Sequence, residues 1–300
     1  MRRVPEGPVC SSPHQPPGHA LLRTSYPVPR SLESAAAFAE NLGWSFDRQG
    51  DPVPECQGFS MGDWLPYLNA VWRVPVILLM TGVMSTLSVI LSLFDGTGRL
   101  QHGCARRWAD FILWVSRVRV QAEGMEQLQP GRGYVFMANH LSMFDIWAFL
   151  HLLPFPFRFV AKASLFRVPF LGWHLRRSGN VPVSREHPRQ TLRLYESIAG
   201  NVAAGMSYVV YPEGARTWDG SPGPFRRGAF LLPKHAQAPI VPVTIIGAHR
   251  RLKRGSVVIH PGTMRMIFHR PLEYEEYRYW SLDELAERVR NTVLKRYELT

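Results

Sequence analysis

The feature that most limits how this chain can fold is an uncharged stretch of about 21 residues, from position 74 to 94. A helix needs about 20 apolar residues to cross a bilayer, so the stretch is long enough to span one. Trp64, Tyr67 and Trp72 lie just before it, where the aromatic side chains of a membrane interface are expected. The chain is therefore predicted to carry a membrane-associated helix.

Two other arrangements fit the same stretch. It can dip into one leaflet while residues 104–118 return along the membrane surface as an amphipathic helix. It can also be the buried core helix of a globular domain, which its length disfavours. The amphipathic helix is predicted to present these residues on one side: Trp108, Phe111, Ile112, Trp114 and Val115.

Basic side chains are concentrated in the later part of the chain. The formal net charge is +12, and the excess lies after Arg73. Arginines cluster just after the uncharged stretch, which predicts that the C-terminal part lies on the cytoplasmic side of a membrane. Residues 157–177 mix cations with large apolar side chains, as at a membrane surface or in a core helix with solvated ends. Anionic lipid or a phosphorylated substrate is the expected partner, because no helix-turn-helix, zinc-finger or RNA-recognition signature indicates nucleic acid.

The chain divides into three regions. Residues 1–60 are rich in Pro, Ser and Gly, which is typical of a disordered leader, with one short helical piece at residues 32–42. An alternative is that translation begins at Met61 and the leader is never made. Residues 61–119 are predicted as membrane-associated helices, and residues 120–300 as a single domain.

Strand-like and helix-like patterns alternate through the third region. Helical periodicity marks residues 188–204, and Ser281 with Glu284 forms a capping-box signature that opens a final helix ending near residue 297. Such alternation is typical of an α/β fold with a mostly parallel central sheet flanked by helices. Strands are predicted at residues 134–138, 158–161, 207–211, 240–247, 256–260 and 264–268.

A histidine and an aspartate follow the first of these strands, at His140 and Asp145. Loops at strand ends often carry catalytic groups. A neutral imidazole can accept a proton from a weak nucleophile, and a carboxylate behind it fixes its tautomer. The pair is therefore predicted as a general base and its orienting group, although a strand-end histidine is more often structural. The other histidines show no metal-ligand spacing, and the three cysteines make neither a metal motif nor a disulfide framework.

Three further blocks follow Asn139-His140-x4-Asp145 in order. They are Gly179-Asn180-Val181-Pro182-Val183-Ser184-Arg185, Tyr211-Pro212-Glu213-Gly214-Ala215-Arg216 and Ile240-Val241-Pro242-Val243-Thr244-Ile245. Together the four blocks resemble the glycerolipid acyltransferase family, which includes 1-acylglycerol-3-phosphate acyltransferases, over about residues 100 to 270. The first block matches the family pattern in full. The third has Tyr211 and Ala215 in place of the usual Phe and Thr, and the second departs from the pattern at Pro182, Val183 and Ser184.

The resemblance implies a role for each block. His140 is expected to deprotonate a lipid hydroxyl with Asp145 behind it, and Arg185 and Arg216 to hold the phosphate of the acceptor. Glu213 is expected to bind a glycerol hydroxyl, to position Arg216, or to form a structural salt bridge. Other substrate contacts are expected from the remaining block residues and the basic residues near them: Asn139, Lys162, Gly179, Gly214, Arg226, Arg227 and Pro242. Arg226 and Arg227 are alternatively a solvated pair, and Pro242 alternatively a core strand residue.

The expected function is a membrane-associated O-acyltransferase that uses an acyl thioester, either acyl-CoA or acyl carrier protein. Its expected acceptor is 1-acylglycerol 3-phosphate, with glycerol 3-phosphate or another lysolipid as alternatives. We expect neither a bound cofactor nor a metal ion. The competing hypotheses are a lipid hydrolase that uses His140 and Asp145 to activate water, and a catalytically idle lipid-binding protein.

Overall fold

The computed structural model describes the chain at residues 44–46, 52–54, 61–184 and 188–297. The two short segments form an antiparallel pair, β1 (Trp44–Phe46) and β2 (Pro52–Pro54). This pair belongs to a unit of its own, and all later elements belong to a second unit that begins at Ser60. The helical piece predicted at residues 32–42 lies outside the described residues.

The uncharged stretch forms part of α1 (Met61–Leu91), which begins before the stretch itself. Its segment Ala70–Leu91 has a mean hydropathy of 2.2 and is only 11% buried within the protein, so α1 is long and apolar enough to cross a membrane. Low burial does not fit the core-helix alternative, because a core helix hides most of its surface. Its most exposed apolar side chains are Val71, Leu78, Leu79, Val83 and Ile90.

The predicted amphipathic helix is α2 (Arg99–Ser116). It packs against α1, where Trp108 Nε1 donates a hydrogen bond to Thr81 Oγ1 at 3.0 Å. Ile112 is fully buried, but Trp114 is 73% exposed, so the five side chains predicted on one side of the helix do not all share one environment. The chain turns out of α2 at Arg117, whose backbone is left-handed, and enters the sheet at the next residue.

A seven-stranded sheet forms the centre of the second unit. Its order is β3-β9-β8-β4-β7-β5-β6, and every neighbouring pair is parallel except β8 with β9. The prediction of an α/β fold with a mostly parallel sheet is therefore confirmed. The strands are β3 (Val118–Glu123), β4 (Val135–Ala138), β5 (Phe157–Lys162), β6 (Val181–Val183), β7 (Ser207–Val210), β8 (Ile240–Ile246) and β9 (Gly262–Phe268).

Helices connect and cover these strands. At the last one, Ser281 Oγ accepts a hydrogen bond from Glu284 N at 3.1 Å, which is half of the predicted capping box. The remaining α-helices are α3 (Phe144–Leu152), α4 (Leu171–Arg177), α5 (Pro188–Ala203), α6 (Leu231–Ala236), α7 (Ala248–Arg251), α8 (Tyr274–Tyr277) and α9 (Leu282–Tyr297). Short 3₁₀ turns lie at Met125–Gln127, Ala163–Arg167 and Arg227–Phe230.

Five of the six predicted strands are present, and residues 256–260 are the exception. That run is a loop whose Val258 and Ile259 are buried, so its apolar pattern reports burial and not pairing. The pair β1 and β2 was not predicted, and two strands of the seven-stranded sheet were not predicted either. β3 carries charged residues at a sheet edge, and β6 contains Pro182, which an edge strand tolerates because its missing N–H leaves no partner unpaired.

Both faces of the sheet are covered by apolar side chains. Along β4, Phe136 and Ala138 enter one buried cluster, whereas Val135 and Met137 enter the other. Strand β4 is therefore buried on every residue, as central parallel strands usually are. Strands β7 and β8 flank it in parallel, so the loops after these three strands meet at one edge of the sheet.

Candidate active site

His140 lies just after β4, and Asp145 lies in the first turn of α3. His140 Nδ1 is 2.8 Å from Asp145 Oδ2, and the aspartate side chain is fully buried. The same oxygen accepts the backbone N–H groups of Leu141 and Ser142 at 2.7 and 2.9 Å. A carboxylate oxygen only accepts hydrogen bonds, so the imidazole nitrogen that faces it, Nδ1, carries the proton. The other nitrogen, Nε2, is then free to accept a proton. This is the geometry of an oriented general base.

Tyr211, the first residue after β7, stacks on the ring of His140. The ring centroids are 4.0 Å apart and the planes differ by 15°. The hydroxyl of Tyr211 is buried without a hydrogen-bond partner among the described residues, and burial together with the charge of Asp145 raises its pKa well above the usual value. Tyr211 therefore stays neutral, and its stacked ring limits the rotation of the imidazole.

Glu213 holds the backbone around His140. Its Oε1 accepts the N–H of His140 at 2.8 Å, and its Oε2 accepts the N–H of Gly223 at 3.0 Å. Burial raises the pKa of this carboxyl, which is 8% exposed. Both oxygens are engaged with backbone groups, and Glu213 forms no ion pair within the described part of the chain. The geometry assigns it the positioning of His140, which the sequence analysis did not foresee.

Asn139 joins two strands. Its Nδ2 donates to Ile245 O at 2.9 Å, and its Oδ1 accepts Ile245 N at 2.7 Å. The side chain is fully buried, so both of its polar ends are used inside the protein. Asn139 thus fastens the end of β4 to β8, and a direct substrate contact does not fit this placement.

Arg216 approaches the pair through a tight turn. Gly214 closes the turn with a φ of 71°, a backbone conformation that suits glycine. Thr217 N donates to His140 O at 3.0 Å, which brings the residue next to Arg216 against the histidine. Burial, with a smaller effect of the nearby Arg254 charge, lowers the pKa of Arg216, while Asp145 opposes the shift. A cation therefore stands beside the His140–Asp145 pair.

Other predicted contacts have structural partners. Arg226 Nε donates to Glu213 O at 3.3 Å and so supports the turn. Arg227 is 71% exposed and pairs with Asp283 at 3.4 Å, an ion pair at the protein surface. Pro242 is buried in β8 opposite Met137, which agrees with the core-strand alternative.

Gly179 and Lys162 were also predicted as substrate contacts, and they lie at a turn and at the end of a strand. Gly179 has a φ of 75°, and a side chain there would come within 3.1 Å of Arg158 Nε. It therefore leaves room for the buried Arg158 guanidinium, which donates to Thr97 O at 3.1 Å. Lys162 is exposed at the end of β5. Arg185 lies outside the described residues, and its role stays a prediction.

One cation next to Arg216 was not identified from the sequence. Arg254, in the loop after α7, donates from Nη1 to Arg216 O at 2.7 Å. Its guanidinium carbon lies 4.2 Å from the centre of the Trp218 ring. The available signal was the basic run after the fourth block, which spacing alone did not connect with Arg216. Among the described residues, no group of three or more His, Cys, Asp or Glu is placed to hold a metal ion.

Comparison with known proteins gives consistent results. Residues 119–246 match the family model described as Acyltransferase. The chain is 30% identical to a chloroplastic 1-acyl-sn-glycerol-3-phosphate acyltransferase of Brassica napus over 75% of this chain and 63% of that protein. A 1-acyl-sn-glycerol-3-phosphate acyltransferase of Saccharomyces cerevisiae is 29% identical, and the match covers 78% of this chain and 78% of that protein.

The first relatives are longer than the matched part. The chain covers 63% of the Brassica napus protein and 56% of a chloroplastic relative from Arabidopsis thaliana. Among solved structures, the 1-acyl-sn-glycerophosphate acyltransferase PlsC of Thermotoga maritima has a TM-score of 0.66. It is 20% identical, and the match covers 78% of this chain and 95% of that chain, which shows a shared fold.

Proposed function

Because residues 119–246 belong to the acyltransferase family, we propose that the protein moves an acyl chain from an acyl thioester to 1-acylglycerol 3-phosphate, giving phosphatidic acid. The observation that carries the proposal is the 2.8 Å contact between His140 Nδ1 and the buried Asp145 carboxylate. It supplies an oriented base without a nucleophilic side chain, as direct transfer to a hydroxyl requires. Relatives that match much of the chain are named as 1-acyl-sn-glycerol-3-phosphate acyltransferases, which supports the choice of acceptor.

The proposed reaction is a single displacement. His140 Nε2 takes the proton of the acceptor hydroxyl while its oxygen attacks the thioester carbonyl. The new C–O bond forms, the C–S bond breaks, and the departing thiolate receives the proton from the imidazolium. Asp145 stabilises the positive charge that His140 carries between these steps, and a general base of this kind contributes about 10²–10⁴-fold to the rate.

Arg216 holds the acceptor in this proposal. A guanidinium group gives a phosphate two parallel charged hydrogen bonds, which fix both its distance and its orientation. The link from Thr217 N to His140 O keeps the arginine and the base in one local frame. Arg185 is proposed as a second contact from the second block.

Membrane association is part of the proposal, and it is supported by the exposed apolar surface of α1. Leu78 and Leu79 are 66% and 71% exposed on this helix, and Phe94 just after it is 80% exposed. Arginines that follow α1 favour a domain on the cytoplasmic side. The acyl donor is acyl-CoA or acyl carrier protein, and the acceptor is an amphiphile that reaches the site from the bilayer.

The test measures acyl transfer by purified, detergent-solubilised protein. Acyl-CoA and acyl carrier protein are offered as donors. The acceptors are glycerol 3-phosphate, lysophosphatidic acid, lysophosphatidylcholine and an uncharged monoacylglycerol. We expect phosphatidic acid from lysophosphatidic acid, and a loss of about 10²-fold or more in His140→Ala. Fatty acid released without an acceptor would support the hydrolase hypothesis instead.

The chain offers a matched control for this variant. His151 Nδ1 is 2.7 Å from Asp110 Oδ1, so it forms a second His–Asp pair, but on the exposed side of α3. His151→Ala should keep the wild-type rate. Equal losses in His140→Ala and His151→Ala, or no loss in either, would contradict the assignment of the base.

A further inference from the structure

The loop between α7 and β9 is fastened to the candidate active site at two points. Ser142 Oγ donates to Leu252 O at 2.8 Å, which ties the loop to the segment between His140 and Asp145. Two residues later, Arg254 Nη1 donates to Arg216 O at 2.7 Å. The side chain of Arg254 therefore reaches across to the loop that also contacts His140.

Trp218 fixes the direction of this arginine. The guanidinium carbon of Arg254 lies 4.2 Å from the centre of the indole ring, within cation–π distance. Gly255 has a φ of 81°, and a side chain at this position would come within 3.4 Å of the same ring. Trp218 itself is 68% exposed. A charged group that is stacked in place loses less freedom when it binds a ligand.

The neighbouring guanidinium groups of Arg216 and Arg254 are both positively charged. Neither Arg216 nor Arg254 forms an ion pair with a carboxylate in the described part of the chain. They are close enough for the charge of Arg254 to lower the pKa of Arg216, in addition to the larger effect of burial. Like charges at short range repel, and a dianion bound by both would offset that repulsion.

We propose that Arg254 and Arg216 together bind a dianionic phosphate monoester beside His140. Arg254 would thus be a substrate-binding residue outside the four sequence blocks, and this inference rests on the proposed function. Two substrates carry such a group, namely the head of the lysophosphatidic acid acceptor and the ribose phosphate of acyl-CoA. Contact between the Arg216 loop and His140 favours the acceptor, because the base must meet the hydroxyl of that molecule.

The test compares Arg254→Gln with Lys253→Gln in the full chain. Lys253 is the exposed neighbour in the same loop, so both variants lose one positive charge. For lysophosphatidic acid, Arg254→Gln should raise KM about tenfold or more, as the loss of a hydrogen bond to a charged group implies, with little change in kcat. Lys253→Gln should match wild type. Arg254→Lys, which keeps the charge without the planar fork, should recover part of the loss.

Comparing acceptors and comparing acyl donors distinguishes a phosphate-binding role of Arg254 from a structural role. A monoacylglycerol acceptor without phosphate should show the same kcat/KM in wild type and in Arg254→Gln, whereas equal losses for charged and uncharged acceptors would overturn the proposal. A KM increase confined to acyl-CoA, absent with acyl carrier protein, would support the phosphate site and assign it to the donor. Unchanged KM values for all phosphate-bearing substrates would also overturn it.

A binding measurement keeps this result independent of turnover. Calorimetric titration of a short-chain lysophosphatidic acid is made into His140→Ala, alone and combined with Arg254→Gln or Lys253→Gln. Binding should weaken about tenfold or more only in the Arg254 combination. If wild type transfers no acyl chain, the proposed function fails, and the titration still decides on Arg254. Equal affinities in the three proteins would refute the phosphate site.

Discussion

Asn139→Ala is expected to be the most informative single change in the sheet. Asn139 pairs with both backbone groups of Ile245, donating to its carbonyl at 2.9 Å and accepting its N–H at 2.7 Å. Alanine removes both partners, and because the position is fully buried, bulk solvent does not reach the two backbone groups that lose them. The carbonyl and the N–H of Ile245 would then be unpaired at the end of β8.

The magnitude follows from these two groups. A buried donor or acceptor without a partner costs about 1–3 kcal/mol, so the pair costs about 2–6 kcal/mol. A domain of this size loses about 3 °C in Tm per kcal/mol, so the expected drop is about 6–18 °C. Because His140 is the next residue, the acyl-transfer rate should fall as well.

Thermal unfolding in detergent, followed by circular dichroism at a fixed heating rate, measures the drop. Asn291→Ala is the matched control, since Asn291 is exposed on α9 and its loss should change the stability by less than about 0.5 kcal/mol. A drop below about 2 °C in Asn139→Ala, or equal drops in the two variants, would refute the reasoning about unpaired backbone groups.

Three further predictions follow from the site and its surroundings. Asp145→Asn should lower kcat by about 10²–10⁴-fold because the imidazole tautomer is no longer fixed, whereas Asp110→Asn at the exposed pair should not; steady-state assays measure both. Gly179→Ala should lower Tm, because its φ is 75° and the new methyl group would meet Arg158 Nε at 3.1 Å, while Gly200→Ala inside α5, with open space around it, should raise Tm slightly. Burial raises the pKa of Glu213 above its ordinary 4.5, so the folded state holds that proton more tightly than the unfolded state, and stability is lost as pH rises from about 4.5 through the folded pKa. Melting curves between pH 4.5 and pH 7 should therefore decline less steeply in Glu213→Gln, and parallel curves would contradict this.

The sequence predicted those features that lie within one short segment of the chain. The apolar run before His140 predicted β4, and the spacing of His140 and Asp145 predicted their contact because one strand–turn–helix segment holds both. Strands β7 and β8 were predicted for the same reason. The edge strand β3 was not, because its alternating charges are stabilised by pairing with β9, which lies far along the chain.

The contacts that complete the site depend on tertiary structure. Asn139 and Ile245 are 106 residues apart in sequence, and Arg216 and Arg254 are 38 apart. No periodicity relates such positions, so the motif predicted a substrate contact for Asn139, and no pattern connected Arg254 with Arg216. The buried loop at residues 256–260 shows the same limit, since an apolar run records burial whether or not a strand forms.

The tyrosine stacked on His140 also offers a way to observe the histidine directly. A phenol ring whose centroid lies 4.0 Å from that of the imidazole, nearly parallel to it, shifts the resonances of the imidazole protons upfield through its ring current. His140 should therefore stand apart from the other histidines in a proton NMR spectrum of the wild-type protein. Replacing Tyr211 with leucine would return its signal to the common range, which would assign the resonance. The protonation of His140 could then be followed during substrate binding without any attached label.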